Sequence, residues 1–213
     1  MSYMEPRLRS LAPDVAETTV IDRLGHAWRD MEASTREFLA EKPSESRLLF
    51  LLVVSDVVVF LSWAIKGVVA PTAAAQALLP LEIGLWLAAA LFARTFFMYV
   101  FAAVTWVVAR AFGGVATPRE TRAGIFWGAF VSAPFALASA VLAVVLNMGE
   151  GRWEILSNDI VSLPPYYFAL VPFLWFVAQG IATANKFERF GWVFFALSLG
   201  TVAFSLAGVY LSA

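Results

Sequence analysis

Few side chains in this sequence have both the type and the placement for chemistry. Asp56 lies inside the apolar run LLFLLVVSDVVVFLSWAIKGVV, and Arg94 lies inside a second apolar run, 82–112. Asp56 follows Leu48 by eight residues, which at 1.5 Å per residue puts it about 12 Å below the start of its helix. Ionised groups at such depth are rare and by default point to function. One reading is a polar pathway for an ion or small substrate. The other, preferred here, is a structural Asp56–Arg94 pair between antiparallel neighbours, or an Arg94 that snorkels outward. Gln179, with Thr183 and Asn185, is a further polar candidate in an apolar run, and reads as an interhelical hydrogen-bonder rather than a ligand.

Other chemistry is poorly served. There is one histidine, His26, in the polar N-terminal segment, where it reads as a solvated helix residue. No H-E-x-x-H, G-x-S-x-G or Ser–Lys signature occurs. Glu150, Glu154 and Asp159 could form a small carboxylate site, but read better as a solvated connection. Cysteine is absent, which excludes disulfides and thiolate metal sites. The expectation is therefore a protein that is not an enzyme, with no catalytic residue, no cofactor and no metal.

The stretch ARAFGGVATPRETRAGIFWGAF, 109–130, looks at first like a ligand loop. Its glycines match neither G-x-x-x-x-G-K-[ST] nor G-x-G-x-x-G. They fit helix punctuation instead. Gly113 and Gly114 suit the residues just past a helix end, and Arg110 sits in that helix's last turn, where a cation favours the dipole. Thr117 and Glu120 have capping-box spacing, and Pro118 falls where a missing N–H costs nothing. A helix start flanked by Arg110, Arg119 and Arg122 remains a candidate anion site, for example for a lipid headgroup.

The elements that hold these residues follow from composition. The chain has 213 residues, 61% hydrophobic and 15% charged, with a mean hydropathy of +0.76. A soluble domain is about 25% charged, so lipid is the expected solvent and a bilayer the expected partner. Residues 1–47 hold 16 of the 31 acidic and basic residues, which separates a polar segment, 1–47, from a membrane domain, 48–213. The net charge of −1 gives no basic patch for nucleic acid. The first 30 residues lack the apolar core of a cleavable signal peptide. Arginine outnumbers lysine twelve to three, a usage that fits a GC-rich bacterial genome.

Residues 1–13 read as a flexible tail. From Asp14, a plausible N-cap, to Lys42, the residues Val20, Leu24, Trp28, Met31, Thr35, Phe38 and Leu39 recur at helical spacing, and Pro43 stops the run. This predicts one amphipathic helix. It can lie on the bilayer, dock on a partner, or fold against the protein's own cytoplasmic face. Five spans are expected at 48–69, 82–112, 119–147, 164–185 and 190–211, each near the roughly 20 residues that a bilayer requires. Pro80 and Glu82 suit the first turn of the second. Trp63, Lys66, Trp153, Tyr166 and Tyr167 suit an outer interface. Pro164 and Pro165 suit the start of the fourth span, and Pro172 a bend within it. Twelve Lys and Arg fall in the N-terminal segment and the 110–122 and 186–189 connections, against Lys66 and Arg152 on the other side. That asymmetry predicts a cytoplasmic N-terminus and an outside C-terminus.

Gly124 and Gly128 form a G-x-x-x-G pair, continued by Ser132 and Ala136, and Pro134 should bend that helix. Gly191, Gly200 and Gly208 read as packing positions in the last span. The order of a polar segment, five spans, a Gly-Gly turn after the second span and TRAGIFWGAFVSAPFAL with a proline in the third resembles the Yip domain family of integral membrane proteins. That family is named for interaction with Ypt/Rab GTPases in eukaryotes, and the resemblance is closest to its bacterial branch. It covers about 45–211 and is carried mainly by 110–137. The Asp-Leu-x-Gly-Pro-like motif of eukaryotic members is replaced here, since Asp56 is followed by VVVF.

The resemblance implies an all-α, five-helix protein of the bacterial inner membrane with a non-enzymatic role in membrane organisation or scaffolding through a membrane or cytoplasmic protein partner. A homo-oligomer is left open. The alternative is a subunit of a small-molecule or ion transporter or channel that uses the Asp56–Arg94 region.

Overall fold

Helix boundaries here follow from local capping chemistry, and the computed structural model describes them over residues 19–69, 80–150 and 168–212. Among the described residues there are seven helices and no strand: α1 (Val20–Arg29), α2 (Met31–Ala40), α3 (Glu45–Val69), α4 (Pro80–Ala111), α5 (Pro118–Glu150), α6 (Leu170–Asn185) and α7 (Phe190–Ser212). The chain is all-α at that level. The readings placed on Asp14, Arg152, Trp153, Glu154, Asp159, Pro164, Pro165, Tyr166 and Tyr167, and on the side chains of Glu82 and Glu150 and position 208, lie outside the described residues.

Four helices, α3, α4, α5 and α7, are long and apolar enough to cross a membrane. The fourth expected span, 164–185, is matched only in part. The α6 helix is apolar but has 16 residues, about 24 Å at 1.5 Å per residue against a hydrocarbon core of about 30 Å.

The single amphipathic helix expected over 14–42 is instead two. Thr19 opens α1 with a capping box: its hydroxyl accepts from the Asp22 amide at 3.2 Å, and Asp22 accepts from the Thr19 amide at 3.1 Å. Asp30 then breaks the run. Its backbone leaves the helical region at φ −144° and ψ 86°, and its carboxylate accepts the Ala33 amide at 2.9 Å to cap α2. An aspartate offers the backbone this local alternative at little cost. Most of the apolar stripe survives the break. Met31, Thr35 and Phe38 are buried, Leu24 and Leu39 pack at the core edge, and Val20 is exposed.

The α5 helix is the central element, packed against α3, α4, α6 and both short helices, while α7 packs mainly on α6. The core is built from Leu48 and Leu52 of α3, Met98 and Ala102 of α4, Ile125 to Val131 of α5, and Phe176, Val177 and Ile181 of α6, closed by Phe38 of α2. One packing expectation fails. A side-chain carbon added at Gly191 or Gly200 meets nothing within 4 Å, so neither glycine marks a close helix approach among the described residues. Lys66, expected at an outer interface, is buried against α5, where its Nζ lies 3.4 Å from Ser139 Oγ.

Candidate functional site

The hairpin of α1 and α2 docks on the bundle through its aromatic residues. Phe38 stacks on Trp127 at 4.8 Å between centroids, and Trp127 Nε1 donates to Ser34 Oγ at 3.2 Å. Trp28 Nε1 donates to the Val131 carbonyl at 3.0 Å, and its ring meets Phe135 edge-on at 5.7 Å. Of the placements open from sequence, the structure has the hairpin folded against the protein's own bundle. Its outward face carries Arg29, Asp30, Glu32, Arg36 and Glu37, all exposed.

Trp28 docks beside a proline. Pro134 removes a backbone donor within α5 and crowds the carbonyl four residues earlier. Carbonyls in the turn just before it receive side-chain donors from other helices: Val131 from Trp28, and Ala129 from Ser55 of α3 at 3.1 Å. Ser132 also donates to the Ala129 carbonyl, at 2.9 Å.

These contacts fix depth along the bundle. Val131 and Phe135 lie about 20 and 25 Å from the start of α5 at 1.5 Å per residue. Arg94 and Thr95 of α4 meet Asp56, whose neighbour Ser55 bonds Ala129, so Phe92, Phe96 and Phe97 lie at a similar depth. Those three phenylalanines are exposed, as are Val53 and Val57 of α3. At one depth, then, the bundle shows an apolar surface on its α3 and α4 flank and a charged surface on its hairpin flank.

Asp56 is fully enclosed between α3 and α4, and the structure pairs it with Arg94, whose side chain is about a fifth exposed. Thr95 Oγ1 donates to the other carboxylate oxygen of Asp56 at 2.6 Å. The carboxylate therefore has a cation on one oxygen and a hydroxyl on the other, which is the compensation an ion pair needs away from water. Gln179 does not join this pair; it lines a cavity between α2, the end of α6 and the α6–α7 turn.

At the α4–α5 turn, Gly113 adopts φ +88°, a left-handed conformation that glycine takes without strain. Gly114 donates its amide to the Ala109 carbonyl at 2.7 Å. A side-chain carbon on Gly114 would lie 2.5 Å from Asn185 Oδ1, so that position admits only glycine as packed. Thr117 accepts from the Glu120 amide at 3.2 Å, and Glu120 accepts from the Thr117 amide at 2.7 Å. The arginines offered as anion ligands all have partners within the chain. Arg110 donates to the Gly114 carbonyl at 3.3 Å, Arg119 to the Pro43 carbonyl at 2.5 Å, and Arg122 to Glu45. With Glu120 seated on the first turn, this helix start is closed by its own side chains.

Gly124 and Gly128 face α6. A carbon built on Gly124 runs into the Gly180 carbonyl, and one built on Gly180 runs into that of Gly124. At Gly128 it would lie 2.6 Å from the Phe176 carbonyl oxygen. Gly180 is the partner that the G-x-x-x-G spacing of α5 does not reveal, because nothing in that spacing names the opposing helix.

Among the described residues, no group of three or more His, Cys, Asp or Glu side chains is arranged to hold a metal ion. No family model matches the chain, and neither the curated proteins nor the solved structures contain a match.

Proposed function

We propose that this chain is a non-enzymatic, multi-pass membrane protein of Yip type that organises or scaffolds the membrane by holding a protein partner on the outer face of its N-terminal hairpin. The observation that carries the reading is the mismatch at one depth. Exposed Arg29 and Asp30, next to Trp28, lie level with exposed apolar side chains elsewhere on the bundle. Lipid tails suit the second surface and strongly disfavour the first. A polar protein surface of mixed charge satisfies it.

In this reading the chain has five spans and α6 belongs to the fourth. The hairpin end faces the cytoplasm, by the excess of Lys and Arg there, and the C-terminus lies outside a bacterial inner membrane. Photo-cross-linking from positions 29, 30 and 37 in intact membranes tests the proposal. A protein adduct is expected from at least one position, and lipid adducts alone at all three would overturn it.

The Asp56–Arg94 pair favours a second reading, a subunit of an ion or small-molecule transporter. It requires flux in proteoliposomes that Asp56→Asn abolishes, and absence of flux for every ion tested counts against it.

A further inference from the structure

The corner between α2, the end of α6 and the start of α7 encloses a cavity of about 470 Å³. Glu32, Arg36, Gln179, Lys186, Glu188 and Phe190 line it. Glu32 and Arg36 pair across one helical turn at 2.7 Å. Neither Lys186 nor Glu188 forms an ion pair among the described residues, although Lys186 sits within electrostatic reach of Glu120. Lys186 also holds φ +58°, the left-handed cap of α6. Asparagine or glycine takes that conformation more easily than lysine, and a costly local geometry is often kept for a function.

The four charged groups of the lining sum to zero, and the two without partners are opposite in sign. A bare anion or a bare cation would satisfy one and repel the other. A zwitterion satisfies both. The surroundings indicate what carries it. Phe190 lines the cavity and meets Trp175 of α6 edge-on at 4.6 Å, and along the face of α6 that carries Gln179, Trp175 and Val171 are exposed. The cavity therefore opens where the charged hairpin flank meets an apolar surface, which is where a lipid headgroup must lie beside its own chains.

We propose that this cavity seats the headgroup of a zwitterionic phospholipid with a primary ammonium, of the phosphoethanolamine type. The phosphate accepts from the Lys186 ammonium and from the Arg36 N–H groups that Glu32 leaves spare; a guanidinium has five donors. The lipid ammonium donates to the Glu188 carboxylate and to the Gln179 side-chain carbonyl. The acyl chains run along Phe190 and the exposed Trp175 and Val171 of α6. A choline headgroup keeps the charge but has no N–H to donate, and a glycerol headgroup has no cation for Glu188. The proposal shares with the partner reading the premise that the chain sits in a bilayer and the outward residues Glu32 and Arg36, and its assay on the isolated chain requires no partner.

Native mass spectrometry and thermal shift of the full chain in detergent, with phosphatidylethanolamine, phosphatidylcholine, phosphatidylglycerol or soluble glycerophosphoethanolamine added, test it. Phosphatidylethanolamine should bind tightest and stabilise most. Lys186→Asn, which keeps the left-handed cap, and Glu188→Gln should each weaken that lipid about tenfold, as loss of one charge-assisted hydrogen bond implies. Without lipid, Glu188→Gln should keep the melting temperature of the parent, and Lys186→Asn should match or exceed it, since asparagine holds the left-handed cap with less strain. Equal binding of phosphatidylglycerol overturns the proposal, as does an ethanolamine preference that survives both substitutions. Binding of glycerophosphoethanolamine as tight as that of the lipid overturns the lipid assignment.

Discussion

Replacing Gly128 by alanine tests the close approach of α5 and α6. The added methyl would lie 2.6 Å from the Phe176 carbonyl oxygen, 2.8 Å from its carbon and 2.9 Å from Val177 Cα. All three neighbours are backbone, so none can rotate away. Ordinary contact begins at 3.4 Å, a shortfall of about 0.8 Å at the oxygen, and α5 and α6 must part by a comparable distance. A gap of that size forfeits about a quarter to a half of the dispersion energy of each atom pair along the seam, and overpacking of this kind costs about 1–3 kcal/mol. Gly124 and Gly180 lie on the same seam. Once the helices have parted for one methyl, the second costs less, so Gly124→Ala with Gly128→Ala should cost less than the sum of the singles. Reversible unfolding in mixed micelles measures each variant, with Gly191→Ala as a control whose methyl meets nothing. A Gly128→Ala variant as stable as the parent would refute the contact, and strict additivity of the pair would refute the shared seam.

Breaking the buried pair with Asp56→Asn or Arg94→Gln alone should cost about 3–5 kcal/mol, because an uncompensated charge remains. The double variant should be more stable than the singles predict additively, and thermal unfolding of all four proteins checks this. Gly113→Ala should lose about 1–2 kcal/mol to left-handed strain while Gly113→Asn loses less, read by the same melts. Asp30→Ala removes the carboxylate that caps α2 and should cost about 1 kcal/mol, with faster amide exchange confined to the first turn of α2.

The helix stop and start at Gly113 to Glu120 were legible because capping is local: the residues that make the bonds are at most five positions apart. The apolar stripe from Leu24 to Leu39 was legible for the same reason, yet its continuity concealed the break. Trp28 and Met31 are three apart, which suits a continuous helix and also a helix interrupted at Asp30. Tertiary partners were much less accessible. Asp56 and Arg94 could be paired because charges in apolar runs have few candidates. Gly180, Ser139 and Val131 carry no mark that assigns them to Gly124, Lys66 and Trp28. The glycines of α7 showed the converse error, since small residues in a span suggest packing whether or not a neighbour exists.

The docking of Trp28 on Val131 also has a consequence for synthesis. The hairpin leaves the ribosome ahead of α5, and its anchors Trp127 and Val131 lie 93 and 103 positions beyond Ser34 and Trp28. At about 5–20 residues per second, Met31 and Phe38 wait on the order of 5–20 s for a surface to cover them. Contacts of such separation are slow to form in any chain. The hairpin is thus made before the helices that hold it and is among the last segments to settle, and its docking reports that α5 has arrived.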